Sequence, residues 1–486
     1  MAGEAEPEHV DVLIVGAGLS GIGAAWHLKH RCPGKSLLIL ESREAIGGTW
    51  DLFRYPGIRS DSDMYTLGYV FRPWTHGKAI ADGPVILDYI RDTSREGGID
   101  PHIRLSHRVA SASWCSAEAR WTVEGERSDT GAKVRFTCSW LHICSGYYDY
   151  AEGHRPEFPD AADFAGRIVH PQFWPDGLDH AGKRIVVIGS GATAVTLVPA
   201  LAKTAAQVTM LQRSPTYIVS LPSTDPIATA LRRLLPAKLA SRLVRAKNVA
   251  LQMIFYQLAR RRPGRTRDKI IDLIRQELGP DRDVERHFAP SYRPWDQRLC
   301  LVPDSDLFAA IRDGRASVVT DEIERFTPSG IKLLSGAELP ADLIVTATGL
   351  KVKLLGDIAV SIDGSPTDFA TKLSYKGMMF SDVPNLSYAF GYTNASWTLK
   401  ADLTAAYLCR LLRHMDRRGA RSAVPRWGPG VEETPFVDFT SGYIQRAAHL
   451  LPKQGSKRPW RLHQNYLLDL LTLRFGKVDD EEMELS

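Results

Sequence analysis

The chain has 486 residues, 44% of them hydrophobic and 24% charged, and it carries a formal net charge of +5 at pH 7. This length allows two or three domains with sizeable cores, and the mild positive charge suits anionic cofactors without indicating a nucleic-acid-binding protein. The six cysteines lack metal or redox spacing and the first residues lack an apolar signal core, which predicts a cytoplasmic protein rather than a secreted one.

The beginning of the chain carries a nucleotide-binding pattern. The apolar run at residues 10–15 leads into a glycine-rich turn with Gly16, Gly18 and Gly21, and a helical pattern and a second apolar run ending at Glu41 follow. Such glycines let a pyrophosphate approach the N-terminus of the helix, whose free N–H groups and dipole favour anions. An acid about 20 residues past the glycines is placed to hydrogen-bond an adenosine ribose. The pattern predicts a Rossmann-like unit.

The loop after this acid indicates which nucleotide binds. Two adjacent glycines, the second of them Gly48, come directly before Thr49 and Trp50, and the loop continues to Asp61. Small residues just past the ribose-binding acid let a long, flat cofactor pass the backbone, which favours FAD over NAD. The candidate cofactor contacts of this loop are therefore Gly48, Thr49, Trp50 and Asp61. A turn-rich loop without a ligand is the alternative, since glycine and proline are common in turns.

A second glycine-rich turn follows the apolar run at residues 184–188. Its candidate cofactor contacts are Gly189, Gly191, Thr193 and Ala194. Alanine at the third glycine position is a variant that the dinucleotide fingerprint accepts. This turn predicts a second dinucleotide-binding unit.

The residues after the next strand indicate which dinucleotide this second unit binds. Arg213 and Ser214 stand where the first unit has its acid. A carboxylate would repel a 2′-phosphate, whereas the planar guanidinium group of arginine matches phosphate oxygens. The second cofactor is therefore predicted to be NADPH. A return strand at residues 342–350 adds Thr348 and Gly349 to the candidate cofactor contacts.

Residues 223–290 read as amphipathic helices with dense arginine and lysine. Four apolar side chains fall on one helical face, namely Leu251, Ile254, Phe255 and Leu258. The prediction is a helical insertion that caps the active site and has a solvated outer face. Weak association with an anionic membrane surface is the alternative, because basic amphipathic helices can lie on such a surface. The apolar run at residues 249–259 is far shorter than the roughly 20 residues that a spanning helix needs.

Together these patterns predict an α/β protein with two Rossmann-like dinucleotide-binding domains and a helical insertion. In the last part of the chain, Tyr392, Asn394 and Trp397 surround a turn that opens a helix and are candidate substrate-pocket residues. The predicted segments are 1–148 (FAD domain, first part), 149–222 (NADPH domain, first part), 223–290 (insertion), 291–349 (NADPH domain, second part) and 350–486 (FAD domain, C-terminal part).

The stretch between the two units, residues 164–175, carries the most specific motif. Its fixed residues are Phe164, Gly166, His170 and Trp174, followed by proline. They fit the Phe-x-Gly-x-x-x-His-x-x-x-Trp-Pro signature at every position, and residues 47–61 match a second signature of the same family. The chain thus resembles the Baeyer–Villiger monooxygenases, and further stretches resemble a member that also oxygenates sulfur in thioamides. We expect residues 164–175 to be a linker that couples the two cofactor domains.

The resemblance implies that NADPH reduces FAD and that the reduced flavin captures O2 as a C4a-peroxyflavin, which converts a ketone into an ester or lactone. It assigns Arg298 as the active-site arginine and Asp61 as the aspartate beside it. Many members have a lysine before that arginine that assists NADPH, whereas this chain has Gln297. His170 is expected to be a hydrogen-bonding strut rather than a proton carrier.

Two other functions remain open at this point. One is a flavin-containing oxygenase of sulfur or nitrogen without ketone activity, and the other is a flavin-dependent redox sensor without turnover. The expected partners are a small ketone or sulfur compound and O2, with no nucleic acid.

Overall fold

The strands of this protein follow from short apolar, often β-branched runs that are bounded by turn residues. The computed structural model describes residues 6–486, and within them the strands are β1 Glu8–Val15, β2 Leu37–Leu40, β3 Ile103–Arg104, β4 His107–Cys115, β5 Arg120–Arg127, β6 Lys133–Ile143, β7 Tyr148–Gly153, β8 Arg167–Val169, β9 Arg184–Ile188, β10 Gln207–Gln212, β11 Ile218–Leu221, β12 Cys300–Pro303, β13 Ala316–Thr320, β14 Ile323–Thr327, β15 Gly330–Leu333, β16 Glu338–Pro340, β17 Leu343–Thr346, β18 Leu350–Val352, β19 Ala359–Ile362, β20 Ser365–Pro366, β21 Ser374–Tyr375, β22 Met379–Phe380, β23 Leu386–Tyr388, β24 Ala423–Pro425, β25 Glu433–Pro435, β26 Lys453–Gly455 and β27 Met483–Leu485.

The helices lie between these strands and in one long insertion. They are α1 Leu19–Arg31, α2 Thr49–Leu52, α3 Met64–Leu67, α4 Gly83–Glu96, α5 Ala192–Leu201, α6 Pro226–Leu234, α7 Ala237–Arg261, α8 Pro263–Leu278, α9 Val284–Phe288, α10 Asp306–Arg312, α11 Trp397–Arg418, α12 Gly442–Ala447 and α13 Tyr466–Asp469. In residues 6–486, every helix is too short or too polar to cross a lipid bilayer.

The first sheet has a parallel core with the order β3-β2-β1-β6-β23. β4 and β5 extend it as an antiparallel meander from the N-terminal half of β6. Trp114, near the end of β4, pairs with Trp121 of β5 across the turn. Buried tryptophans at both positions fix that register.

The second sheet is wholly parallel and has the order β13-β10-β9-β17-β8. Its central strand β9 is almost entirely buried, as expected for a strand covered on both faces. Two sheets with parallel cores, each containing a strand followed by a glycine turn and a helix, confirm the predicted α/β class with two Rossmann-like units.

Two chain segments pass between the sheets, and they run side by side. β7 leaves the first sheet and β18 returns to it, and the two strands pair in antiparallel fashion with Leu350 opposite Gly153. Their pairing makes a two-stranded connection between the two Rossmann-like units.

Residues 164–175 are not a free linker. Their central part is β8, which pairs with β17 as the edge strand of the second sheet, with Val169 opposite Val345. Phe164 is buried in the core beneath this edge, and a Cβ atom on Gly166 would lie 2.6 Å from the carbonyl oxygen of Asp342. The signature is therefore built into the second domain, because its backbone completes that domain's sheet.

The insertion consists of α6 to α9, and its longest helix, α7, is anchored to the first unit through polar contacts. Asn248 and Gln252 of α7 each donate a hydrogen bond of 2.8 Å to the carboxylate of Asp63, the N-cap residue of α3. Arg245 donates to the carbonyl oxygens of Tyr65 and Gly68. These contacts fix which face of α7 points toward the protein.

Candidate active site

A cavity of about 600 Å3 lies where the first unit meets the second. Its wall comes from the first glycine turn, the loop that follows Glu41, the end of β6 and the start of α5. Of the residues proposed from the sequence, the cavity is lined by Gly16, Gly18, Glu41, Gly48, Thr49, Trp50, Asp61, Thr193, Arg298, Tyr392 and Trp397.

The first glycine turn has a shape that side chains would prevent. Gly16 has a φ of +103°, and a Cβ atom on Gly21 would lie 1.9 Å from the carbonyl oxygen of Gly16. Gly18 is the N-cap of α1 and offers no side chain to its first amides. The N–H groups at the start of this 13-residue helix are thus available at the cavity, which is the arrangement that binds a pyrophosphate.

Glu41 lies at the end of β2 with only 4% of its surface exposed. Its carboxylate accepts hydrogen bonds from the backbone N–H groups of Ala17, at 2.7 Å, and Arg43, at 3.0 Å. Burial raises the pKa of this carboxyl group, and these hydrogen bonds oppose the rise. The acid therefore ties the glycine turn to the strand edge from which it can reach a ribose.

The loop with Gly48 packs directly on the first glycine turn. Gly48 has a φ of +56°, and a Cβ atom there would lie 3.1 Å from the Cα of Gly18. Thr49 begins α2, and its hydroxyl group lies 3.4 Å from that of Tyr150. Two glycine backbones in contact leave a smooth channel along the cavity, as a long, flat cofactor requires.

Ser145 is a buried polar residue of the cavity wall. Its hydroxyl oxygen is buried and has no hydrogen-bond partner among residues 6–486. A buried polar atom of this kind is rare without a ligand or water. Together with the glycine channel, it shows that the wall fits a polar, elongated cofactor such as FAD.

Arg298 and Asp61 form an ion pair inside the cavity. The guanidinium Nη2 of Arg298 lies 2.7 Å from the carboxylate of Asp61, and each side chain is about one-third exposed (33% and 34%). The carboxylate of Asp61 raises the pKa of Arg298, so the guanidinium stays protonated although burial opposes its charge. The structure thus brings together the two residues that the family resemblance assigned as a pair.

Sequence reasoning missed the tyrosines around this pair. Tyr147 and Tyr148 line the cavity with their hydroxyl groups hydrogen-bonded to each other, and Tyr147 stacks on Trp397 with 5.0 Å between ring centroids. Burial raises the pKa of both phenols and of the nearby Tyr443. These phenols therefore stay neutral donors. The available signal was the tyrosine pair directly after the small residues that follow β6.

The second glycine turn opens toward the same cavity from the other sheet. Gly189 has a φ of +130°, and a Cβ atom there would lie 2.4 Å from the carbonyl oxygen of Ala347. Gly191 is the N-cap of α5 and has open space in front of it, while Thr193 reaches the cavity wall. Ala194 is fully buried and packs the helix against the sheet.

Arg213 and Ser214 follow β10 and lie outside the cavity wall. Within residues 6–486, the exposed guanidinium group of Arg213 makes no hydrogen bond or ion pair. The backbone carbonyl of Ser214 accepts a hydrogen bond of 3.0 Å from Ser190 in the second glycine turn. This contact holds the arginine beside the turn, where an adenosine 2′-phosphate would lie.

His170 lies at the paired segments that connect the sheets. Its Nδ1 accepts from the backbone N–H of Gln172 at 3.2 Å, so Nε2 carries the proton and donates to the carbonyl oxygen of Gly349 at 3.3 Å. A Cβ atom on Gly153 would lie 2.2 Å from the imidazole ring. Burial lowers the pKa of His170, which keeps the ring neutral in this strut-like position.

The remaining proposed residues lie near the cavity but not in its wall. Thr348 donates a hydrogen bond of 2.7 Å to the carbonyl oxygen of His154. The carbonyl oxygen of Gly349 accepts the hydrogen bond from His170. Both residues therefore belong to the connection between the sheets. Trp174 is half-buried at the edge of the second core. Asn394 donates to the carbonyl oxygen of Gln464 at 2.9 Å and lines a small cavity beneath α7.

Tyr392 and Trp397 do line the main cavity, and both are held by hydrogen bonds. The hydroxyl group of Tyr392 donates to Asp469 at 2.7 Å, and the indole N–H of Trp397 donates to Ser20 at 2.9 Å. Because these polar ends are occupied, the two residues present mainly aromatic surface to the cavity.

Comparison with known proteins identifies the family of this chain. The family model described as flavin-binding monooxygenase-like matches residues 80–252, and a model for an NAD(P)-binding Rossmann-like domain matches residues 14–75. The FAD-containing monooxygenase EthA of Mycobacterium tuberculosis is 58% identical over 481 residues, covering 99% of this chain and 98% of the relative. EthA of Mycolicibacterium smegmatis is 55% identical, covering 99% of this chain and 97% of that protein.

Solved structures share the fold. An oxidised steroid monooxygenase bound to NADP superposes with a TM-score of 0.74 at 21% identity, covering 98% of this chain and 99% of that one. The family resemblance drawn from the motifs is therefore confirmed by relatives that span nearly the whole chain, and this chain belongs to the FAD-containing monooxygenase family.

Proposed function

We propose that this flavin monooxygenase uses NADPH and O2 to insert one oxygen atom next to a ketone carbonyl, forming an ester or lactone and water. We include sulfides and thioamides, whose sulfur would be oxygenated, among its substrates. The observation that carries the proposal is the ion pair of Arg298 and Asp61 in the wall of the cavity that the FAD-type glycine turn opens.

The two cofactors would occupy the two halves of the site. FAD would lie along Gly16, Gly18 and Gly48, with its ribose at Glu41. The nicotinamide nucleotide would lie along the second turn, with its 2′-phosphate at Arg213. The chemistry that bound FAD supplies is hydride acceptance from NADPH and activation of O2, while the protein supplies orientation and charge.

The segments of the chain follow from this assignment. We assign residues 1–148 and 350–486 to the FAD domain, residues 149–222 and 291–349 to the NADPH domain, and residues 223–290 to the insertion. β7 and β18 lie at the two places where the chain changes domain under this division.

Arg298 would act as a permanent cation at the reacting atoms. A guanidinium group cannot lose its proton in a protein, and the neighbouring carboxylate strengthens that state. It can therefore stabilise the negative charge that develops on the carbonyl oxygen of the ketone. Asp61 would orient the guanidinium group and keep it from swinging toward other acceptors.

The aromatic wall would keep water away from these charges. Tyr147 stacks on Trp397, and both line the cavity beside Arg298. Exclusion of water strengthens electrostatic interactions and prevents wasteful loss of reducing equivalents as peroxide.

The test combines anaerobic reduction by NADPH with aerobic turnover of a simple methyl ketone and a thioether. In Arg298→Ala, we expect flavin reduction at a rate near that of the native protein but a loss of ester formation of at least about 100-fold, as when an oxyanion-binding group is removed. Product analysis by gas chromatography and flavin absorbance measure the two steps separately.

Arg54→Ala is the matched control, because Arg54 is an exposed arginine outside the ion pair with Asp61. Native-rate ester formation in Arg298→Ala would show that the assigned role is wrong. Sulfoxide without any ester in the native protein would favour the sulfur and nitrogen oxygenase, and a flavin that NADPH does not reduce would favour the redox sensor.

A further inference from the structure

The outer face of α7 carries a row of solvent-exposed apolar side chains, interrupted by the half-buried Lys247, which pairs with Asp225. Leu251, Ile254 and Leu258 have exposed fractions of 56%, 56% and 49%. Leu239 and Leu243 continue the same face toward the N-terminus at helical spacing, with 45% and 44% exposed. Soluble monomers rarely leave so long an apolar stripe uncovered.

The stripe cannot turn inward, because the opposite face of α7 is fixed. Asn248 and Gln252 are hydrogen-bonded to Asp63, and Arg245 is hydrogen-bonded to two backbone carbonyls of the first unit. Val249 lies on the buried side, in a small cluster with Tyr392 and Leu399. The exposed leucines are therefore a consequence of how the helix is anchored.

The charge around the stripe has one sign. Residues 226–267 contain eleven arginines and lysines and no aspartate or glutamate. Six of these cations are exposed and form no ion pair within residues 6–486, namely Arg233, Lys238, Arg242, Arg261, Arg262 and Arg265. An apolar stripe bordered by unpaired cations is complementary to an anionic lipid surface, where leucines enter the interface and arginines meet headgroup phosphates.

We infer that the outer face of α6 and α7 docks on the surface of an anionic lipid bilayer. A second copy of the chain fits this face poorly, since a twofold contact would place the same unpaired cations opposite each other. Leu234, at the end of α6, is 78% exposed and extends the apolar surface beyond α7. The helix would lie in the plane of the interface, in keeping with its length and its basic flanks.

The docking surface is one helix away from the main cavity. Val249 and Tyr392 belong to one small buried cluster, and Tyr392 also lines that cavity. The inference rests on exposure and charge alone, so it does not depend on which substrate the cavity accepts.

The test is flotation of the complete flavoprotein with vesicles. We expect it to float with vesicles made of equal parts phosphatidylglycerol and phosphatidylcholine, to remain unbound with pure phosphatidylcholine, and to lose binding as salt is raised. Equal binding to both vesicle types, or binding to neither, would overturn the inference.

Two double variants separate the apolar and the charged contributions. Ile254→Gln with Leu258→Gln should weaken binding to the anionic vesicles by at least about tenfold, because two buried apolar side chains are lost. Arg261→Gln with Arg262→Gln should weaken it by about 25-fold, at roughly fivefold per cation. Leu334→Gln is the control, since Leu334 is 61% exposed on a distant hairpin.

Flavin absorbance and light scattering are measured on every variant. Native flavin content shows that a variant has folded, and binding as tight as that of the native protein in both double variants would overturn the inference. So would a native dimer that the variants dissociate while vesicle binding is absent, because the stripe would then be a contact between copies.

Discussion

Arg213 is an exposed, positively charged residue directly after β10. Within residues 6–486 its guanidinium group has no ion-pair partner, and it lies beside the second glycine turn through the contact of Ser190 with Ser214. The residue before Arg298, where the family resemblance led us to expect a lysine that assists NADPH, is Gln297. Arg213 would thus carry most of the recognition of a 2′-phosphate.

Arg213→Ala should raise the dissociation constant for NADPH by about tenfold to 100-fold, because a charge-assisted, two-point contact with phosphate is lost. The dissociation constant for NADH should change little. Fluorescence titration with both nucleotides measures this, and Lys203→Ala, an exposed lysine of the same unit, is the control. Equal weakening of both nucleotides would mean that Arg213 does not recognise the 2′-phosphate.

His142 is a buried neutral base in β6. Its Nδ1 lies 2.8 Å from the hydroxyl oxygen of Ser387, to which Trp140 also donates a hydrogen bond. Burial lowers the pKa of His142 from about 6.5 to about 4. The unfolded chain therefore binds this proton more readily than the folded protein does, so its contribution to stability is complete above the unfolded pKa and is lost as the pH falls toward 4.

For the native protein, we expect the free energy of unfolding to fall by about 2 kcal/mol from this group alone between pH 7 and pH 5. His142→Asn keeps an acceptor for Ser387 and removes the titration, so it should flatten the decline of the thermal midpoint over that range. An unchanged slope in His142→Asn would contradict the assignment.

At the scale of elements, the paired β7 and β18 form the connection whose geometry His170 fixes. The imidazole ring packs on Gly153 of β7 and donates to Gly349 just before β18. β7, β18 and the edge strand β8 therefore meet at the side chain of His170. We propose that this contact holds the two domains in the position that oxygen chemistry requires.

His170→Ala should increase the share of NADPH that ends as hydrogen peroxide several-fold, while flavin reduction slows less, because cofactor binding is intact and domain position is not. Peroxide assays and stopped-flow absorbance give the two values. Gly153→Ala should act in the same direction, since its Cβ atom would lie 2.2 Å from the ring. His180→Ala is the control, and a larger effect on reduction than on peroxide would refute the coupling.

At the scale of the whole molecule, FAD in the main cavity of about 600 Å3 would contact residues from distant parts of the chain, and the unfolded chain has no such site. Removal of FAD should therefore lower the thermal midpoint, and added FAD should restore it. At 100 times the dissociation constant, the gain is about 2.7 kcal/mol by mass action. Scanning calorimetry of the cofactor-free protein measures this.

Riboflavin is the matched control ligand, because it lacks the pyrophosphate that the first glycine turn would bind. It should stabilise far less than FAD at the same concentration. Equal stabilisation by the two would show that the turn at Gly16 contributes no phosphate contact.

Contiguous patterns account for what the sequence determined. Gly16 and Gly189 need conformations that side chains forbid, and the strands and helices around them form within about 30 residues. The glycine turns, the acid, the arginine after β10 and the signature at residues 164–175 could therefore be placed before the fold was known. They identified the family and the number of Rossmann-like units.

Long-range packing determined the features of the site and the surface that local patterns did not predict. The tyrosines near Arg298 come from the turn after β6, from the start of β7 and from α12, and only the folded chain brings them close to this guanidinium group. Residues 167–169 of the signature form an edge strand because β17 provides backbone hydrogen-bond partners, and no local sequence pattern predicts that pairing. The face of α7 that stays exposed depends on Asp63, a residue distant in sequence, because its carboxylate fixes the opposite face.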